Sequence, residues 1–449
     1  MGELFNKKWI PHPTTKPHSF LPCNFHPHFY YLLIPPNTTF FSPPTPLFLF
    51  AFTNSIMPAG SAFPLHNKKP NLPHQMDNLS HDVLRHILSR LPISSLIRFQ
   101  YVCRSWRLLA QNPQFLDQHE NFRCLIFHCD YPIRNHLCFV DFPAFKQQKQ
   151  PVKRISTPFS ATMPEYDVVG SCNGFLCLSD SLYNEKLFIY NPFTRDYLEL
   201  PKTKEFPNPD VVCGIGFHPQ TKQFKVIKIV YSRGFRRIQR RVHHSDVQIF
   251  TLGSSNWRSV GRISHHLAHG QSQAIVNGRL HWVSLPRRHH HGRTIVSFDL
   301  ATEEFIDIPK PDYGSLSRCN YHLVILNGCL SAAVYCTHGK MEIWIMEQYG
   351  VKESWVKRFN IGAYMPKSIK QEASEISFKV SKIVLRSKIV KVVCILKSGE
   401  ILLEYRNRAL VLFNPTTGKF MDVIFEGMPN WFHTVVHFGS LNRIDSLFE

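Results

Sequence analysis

Two arginine-rich runs, RGFRRIQRR at Arg233–Arg241 and RRHHHGR at Arg287–Arg293, stand out in this chain. A guanidinium is permanently charged, and its fork matches a carboxylate or phosphate bidentately. Arg233, Arg236, Arg237, Arg240 and Arg241, with Arg287, Arg288 and Arg293, therefore form a candidate anion-binding set, to which Arg406 and Arg408 add a third pair. His289, His290 and His291 suggest metal ligands, but three consecutive residues do not converge readily on one ion, and no carboxylate or cysteine lies beside them. The stretch GSCNG at Gly170–Gly174 looks like a nucleophile turn, yet it is one copy of a repeated hairpin corner whose other copies lack that cysteine. No G-x-G-x-x-G, Walker loop or HExxH is present. The chemistry to expect is binding, with no catalytic constellation, metal or cofactor.

The whole chain is basic, with 52 Lys and Arg against 32 Asp and Glu and a formal net charge of +20. That balance favours an acidic protein, nucleic acid or an anionic membrane as partner. At 449 residues and 43% hydrophobic content, the chain can bury a large core, enough for one large domain and a smaller one. The 12 cysteines include no CxxC pair, and Cys124/Cys129 and Cys172/Cys177 sit within apolar strand-like runs. They read as reduced core thiols.

Residues 1–75 differ from the remainder: they are rich in Pro, His and Phe, and Glu3 is their only acid. Their apolar runs, Phe29–Ile34 and Pro46–Phe52, fall short of the roughly 20 residues a membrane helix needs. The segment is expected to be a disordered tail, or to lie upstream of a natural start at Met57 or Met76, and no membrane partner is expected. It lacks the Arg-rich amphipathic pattern of a transit peptide.

From Tyr166 onward a unit recurs at Gly170, Ala274, Val324 and Val392, each reading strand, tight turn, strand, loop, strand, turn, strand. Asn173-Gly174, Asn277-Gly278 and Asn327-Gly328 supply the positive φ of a type I′ hairpin at the first turn. Tyr190–Thr194, Phe298–Thr302 and Phe413–Thr417 share an aromatic, then Asn or Asp, then a Thr-containing turn, which marks the third-to-fourth corner. A fifth unit without Asn-Gly spans Val211–Val260. A sixth can be assembled from Phe122–His128, His136–Phe142 and the C-terminal run from Trp431, which would close a ring and remove exposed strand edges. About five or six four-stranded units in series predict a β-propeller-like array. The arginine runs then occupy second-to-third-strand loops, on one face. Trp257, Trp282, Trp344 and Trp355 read as strand residues that pack blades.

Ahead of the repeats lies LSHDVLRHILSRLPISSLIRFQYVCRSWRLL, Leu79–Leu109. Leu84, Ile87, Leu88 and Leu91 form one helical stripe, Ser80 can cap it, Asp82 sits in its first turn, and Pro92 stops it. Ser94 or Ser95 can cap a second helix, along which Leu96, Phe99 and Cys103 share a face with Trp106 further on. Leu79, Asp82, Leu84, Ile87, Leu88, Leu91-Pro92, Leu96, Val102-Cys103-Arg104 and Trp106 resemble the F-box position by position. The departure is Ser80, where the family commonly has Pro. The repeats resemble the F-box-associated interaction domain, related to kelch propellers, of large plant families.

These resemblances imply an α plus all-β chain: residues 1–75 as an extension, 76–118 as a three-helix F-box and 119–449 as the propeller-like domain. They imply a non-catalytic substrate receptor of an SCF-type ubiquitin ligase. Its F-box would dock on a Skp-type adaptor, and through it a cullin-RING ligase, with Leu79, Leu91, Pro92, Leu96, Val102, Cys103 and Trp106 facing or supporting that adaptor. The propeller would present an acidic or phosphorylated target, in the nucleus, the cytoplasm or both. The competing expectation is a basic interaction module for acidic protein or nucleic acid. Against nucleic acid, there is neither a helix-turn-helix nor an RNP-type aromatic strand.

Overall fold

The computed structural model describes residues 80–88, 90–110, 123–142, 151–183, 185–203, 210–233, 243–268, 274–286, 292–311, 320–336, 339–372 and 390–447. Every described residue belongs to one unit, Pro73–Glu449.

Three short helices come first: α1 (His81–Leu88), α2 (Ile93–Phe99) and α3 (Arg104–Ala110). The Val83 N–H donates to Ser80 Oγ at 3.4 Å, and Asp82 stands in the positive first turn of α1. The start of α2 differs from expectation. Pro92 occupies its N-cap without a side-chain cap bond, and its carbonyl accepts from the N–H groups of Ser95 and Leu96. Ser94 lies inside the helix and donates instead to Asp141 Oδ2 at 2.5 Å, so a tertiary partner has taken the hydroxyl that a cap would use. Trp106 of α3 stacks on Phe99 of α2 with centroids 3.7 Å apart.

The strands follow in six antiparallel sheets of four. β1 (Arg123–Cys129), β2 (Leu137–Asp141) and β3 (Lys153–Ile155) begin a blade that remains incomplete until the C-terminus. Blade 1 is β4 (Tyr166–Cys172), β5 (Phe175–Asp180), β6 (Leu187–Tyr190) and β7 (Tyr197–Glu199). Blade 2 is β8 (Asp210–His218), β9 (Gln223–Arg233), β10 (His243–Thr251) and β11 (Arg258–Gly261). Blade 3 is β12 (Ala274–Val276), β13 (Arg279–Val283), β14 (Ile295–Asp299) and β15 (Phe305–Ile308). Blade 4 is β16 (Tyr321–Leu326), β17 (Cys329–Tyr335), β18 (Met341–Met346) and β19 (Trp355–Ile361). The helix α4 (Lys367–Glu372) precedes blade 5, which is β20 (Val390–Ile395), β21 (Ile401–Tyr405), β22 (Ala409–Phe413) and β23 (Phe420–Val423). The last strand, β24 (Phe432–Phe438), pairs along its full length with β1, from Arg123↔Phe438 to Cys129↔Phe432. The two ends of the domain thus share one sheet, as the sequence predicts, and the ring closes into a six-bladed propeller.

Local chemistry sets the turns. Asn173, Asn277 and Asn327 have φ of 42°, 52° and 51°, and the glycines after them are also positive. At the third-to-fourth corners, Asn191, Asp299 and Asn414 each accept two backbone N–H groups through the side-chain oxygen, at 2.8–3.3 Å. These are Asx turns, a device in which a short polar side chain replaces a missing backbone bond.

Packing is organised between blades rather than within them. Each of the six junctions holds its own buried apolar cluster. Polar ties cross the junctions as well. Lys225 of blade 2 donates to Leu300 O at 2.6 Å and pairs with Glu303 Oε1 at 2.7 Å in blade 3. Burial alone would push the Glu303 carboxyl up, but hydrogen bonds from Arg258 and Lys225 hold it below its ordinary value. Trp355 Nε1 reaches back to Pro309 O at 2.9 Å, and Trp257 Nε1 reaches Pro201 O at 2.7 Å. Trp257 lies in the turn before β11 rather than in a strand. Its role is nevertheless to tie one blade to the next.

Candidate functional site

Because all sheets are antiparallel, first-to-second and third-to-fourth turns gather on one face of the ring, and second-to-third loops on the other. The helices sit at the turn face. Leu88, Ile93 and Leu96 are fully buried in the cluster that joins the closing blade to blade 1, among Phe139, Phe193 and Leu441. A Cβ built on Gly439 would lie 2.6 Å from Ile93 Cγ1 and 2.9 Å from Phe193 Cε2, so only a glycine permits this approach. The helices and the ring are one packed body.

With that side committed, other apolar side chains of the helices remain in solvent: Val83, Ile87, Tyr101, Val102 and Leu108. Tyr101, 79% exposed, is the most exposed large apolar residue among those described. Large apolar side chains held in water on a rigid support mark a protein-binding surface. Of the residues anticipated for this role, Val102 and Cys103 are exposed in the α2–α3 turn, and Trp106 is half-buried against Phe99. Leu91 and Pro92 are half-buried in the α1–α2 turn. Leu96 faces the propeller, where it supports α2 from behind. Leu79 lies outside the described residues. Ile87 also departs from its expected stripe: Leu84 and Leu88 turn inward, and Ile87 is 46% exposed. Sequence reasoning missed Val83, Tyr101 and Leu108. The available signal was the i, i+4 pair Val83 and Ile87, a second apolar stripe on α1.

On the opposite face, β9 and β10 pair from Arg233↔His243 inward, and β13 and β14 from Val283↔Ile295. Arg236, Arg237, Arg240, Arg241, Arg287 and Arg288 lie outside the described residues, and Arg233 is placed by its backbone only. Arg293 Nη2 donates to Asn320 Oδ1 at 2.8 Å. Arg406 and Arg408 sit at the β21–β22 turn of blade 5, separated from blades 2 and 3 by blade 4, and the Arg408 guanidinium lies 4.3 Å over the Trp431 ring. Burial lowers the Arg408 pKa. Arg293 and Arg408 are therefore tied to the scaffold.

A central cavity of about 510 Å³ is lined by β4, β12, β16, β20 and β24, with Arg123 and Lys391 and no carboxylate or imidazole among its described lining residues. Burial pushes the Cys172 and Cys394 thiols in its wall up to about 12, which keeps them protonated and unreactive. Among the described residues no group of three His, Cys, Asp or Glu could hold a metal ion, and no helix is long and apolar enough to cross a membrane. His289, His290 and His291 lie outside the described residues.

The architecture is a helical trio seated on the turn face of a closed six-bladed ring, with a second apolar side open. Comparison with known proteins gives it a family. Residues 76–118 match the F-box domain, and residues 124–444 match the F-box associated beta propeller domain. The chain is 48% identical to the F-box protein At3g07870 of Arabidopsis thaliana over 390 residues, 83% of this chain and 93% of that one. It is 23% identical to the Arabidopsis F-box/kelch-repeat protein At3g23880, over 63% of this chain and 79% of the relative. It is 25% identical to the Arabidopsis F-box protein CPR1, over 79% and 86%. This chain belongs to the plant F-box proteins that carry an F-box associated propeller.

Proposed function

We propose that the protein is the substrate receptor of an SCF-type ubiquitin ligase. The observation that carries the reading is the division of the helices. Leu88, Ile93 and Leu96 anchor them to the propeller, while Tyr101, Val102 and Leu108 stay exposed and are suited to a Skp-type adaptor. In this reading the receptor is non-catalytic. It contributes proximity, since holding a target beside activated ubiquitin makes a bimolecular encounter local. The target is an acidic or phosphorylated protein held at the loop face, in the nucleus or cytoplasm.

The test is co-purification of the full chain with a purified Skp-type adaptor, comparing wild type with Val102→Asp and Trp106→Ala, and with circular dichroism to verify folding. Stoichiometric capture lost in folded variants supports the reading. A folded wild type that fails to bind overturns it in favour of a basic interaction module without a ligase role. Reversing Arg236, Arg237, Arg240 and Arg287 together is expected to abolish target capture and spare adaptor binding; unchanged capture sinks the basic face.

A further inference from the structure

The innermost strands of the ring enclose the central cavity of about 510 Å³. Small or β-branched residues line it, among them Gly170, Val324, Val392 and Val435, so its wall is largely apolar. Two cations interrupt that wall, toward opposite ends. Lys391 Nζ donates to Thr434 O at 2.8 Å, whereas Arg123 pairs in register with Phe438, about 13 Å further along β24 at ~3.3 Å per residue. Lys391 is answered by the chain itself: its cross-strand neighbour, on the same side of the sheet, is Glu404, 1% exposed.

Arg123 is held differently. Its guanidinium carbon lies 4.8 Å from the centre of the Phe142 ring and 5.5 Å from that of Phe438. Phe438 belongs to the strand on one side of β1 and Phe142 follows the strand on the other, so the two rings flank the guanidinium. Aromatic rings attract the cation but accept none of its in-plane hydrogen bonds. The Arg123 Nε is buried and without a hydrogen-bond partner among the described residues, an arrangement proteins rarely tolerate without a reason. Asp141 pairs with Cys124, one step along, and therefore projects to the other side of the sheet, where Ser94 and Lys153 hold it. The Arg123 charge reaches the cavity wall: burial raises the Cys394 thiol, and Arg123 offsets part of that rise. Phe438 stands 48% exposed at the turn-face mouth, which the Asn173 and Asn327 corners also line.

We propose that the central channel binds a small organic acid, with its carboxylate on the Nε–H and Nη edge of Arg123 and its apolar body between β16, β20 and β24. The edge of a guanidinium presents two parallel donors, which a carboxylate accepts as a pair. The apolar wall selects the body, and a cavity of this size suits a ligand of small-molecule dimensions. One uncompensated cation at this end matches one negative charge. The site is independent of the receptor reading.

The experiment is calorimetric titration of the full chain with decanoate below its micellar range, with 1-decanol and with acetate. Decanoate is expected to bind one-to-one, about ten-fold or more tighter than either, the scale of one charge-assisted hydrogen bond for the comparison with decanol. Arg123→Met, which keeps an apolar stem between the rings, is expected to erase the preference for acid over alcohol and leave decanol binding unchanged. Lys391→Met, at the other end of the channel, is expected to leave the preference intact. Circular dichroism verifies folding. On the wild-type chain, a diazirine-bearing decanoate is expected to label β20 or β24, mapped by mass spectrometry, so the proposal stays testable should a variant not fold. Equal affinity for acid and alcohol overturns it, as does a preference that survives Arg123→Met or is lost equally with Lys391→Met. Labelling confined to α1–α3 overturns it as well. Adaptor co-purification is read separately: a chain that binds decanoate but no adaptor refutes the receptor reading alone.

Discussion

Replacing Gly439 by valine tests whether the helices and the propeller form one body. The Gly439 φ does not require glycine, so the substitution acts through space alone. The new Cβ would sit 2.6 Å from Ile93 Cγ1 and 2.9 Å from Phe193 Cε2, well inside the ~3.5–4.0 Å of a comfortable carbon contact. Forcing extra carbons into a packed site costs about 1–3 kcal/mol. Ile93→Ala, at a fully buried position, costs about 2–5 kcal/mol through lost transfer energy and a cavity. In the double variant the valine occupies the space vacated by the isoleucine, so the combined cost is expected to fall short of the sum by about 1–3 kcal/mol. Urea denaturation measures the three values. Amide exchange locates them: Gly439→Val is expected to speed exchange in α1 and α2 while blades 2 to 4 stay protected. Additivity within about 0.5 kcal/mol, or exchange unchanged in α2, would refute the packed interface.

Three further outcomes follow from the buried polar groups and turns. His128, His281 and His437 are at most 1% exposed, and burial drops their pKa values to about 3, about 4 and about 3. The unfolded chain takes up these protons near pH 6.5, so stability is lost as pH falls below that value, by about 2 kcal/mol per histidine at pH 5; a urea midpoint unchanged between pH 7 and pH 5 would contradict this. Glu303→Leu leaves Lys225 buried with only the Leu300 carbonyl, at an expected cost of about 3–5 kcal/mol in thermal or urea unfolding. Gly278→Ala places a Cβ 2.5 Å from His218 Cδ2 at a φ of +67°, so about 1–3 kcal/mol is expected from strain, read in the same assay.

Much of the architecture was legible along the chain because it is written in short-range chemistry. Asn-Gly pairs require positive φ wherever they occur, and the Asn191, Asp299 and Asn414 corners bond their own backbone, so both turn types could be read without neighbours. Ring closure was legible for a related reason: unpaired strand edges are costly, and the only spare strands lay at the two ends of the domain. The F-box positions were likewise visible as an ordered set.

What the linear sequence determined, then, is which segments form strands and helices and which residues are apolar. Only the tertiary structure decided what each apolar side faces. Periodicity grouped Leu84, Ile87 and Leu88, but Leu84 and Leu88 are buried, Leu88 against the ring, and Ile87 stays in water. Ser94 looked like a cap until Asp141, 47 residues away, supplied a better partner. The meeting of Lys202 with Gln248 and Arg262 was invisible for the same reason, since the connection leaving blade 1 lies beside blade 2 only in the closed ring. Local propensity depends on a residue and its near neighbours, whereas a site depends on which surfaces the closed ring brings together.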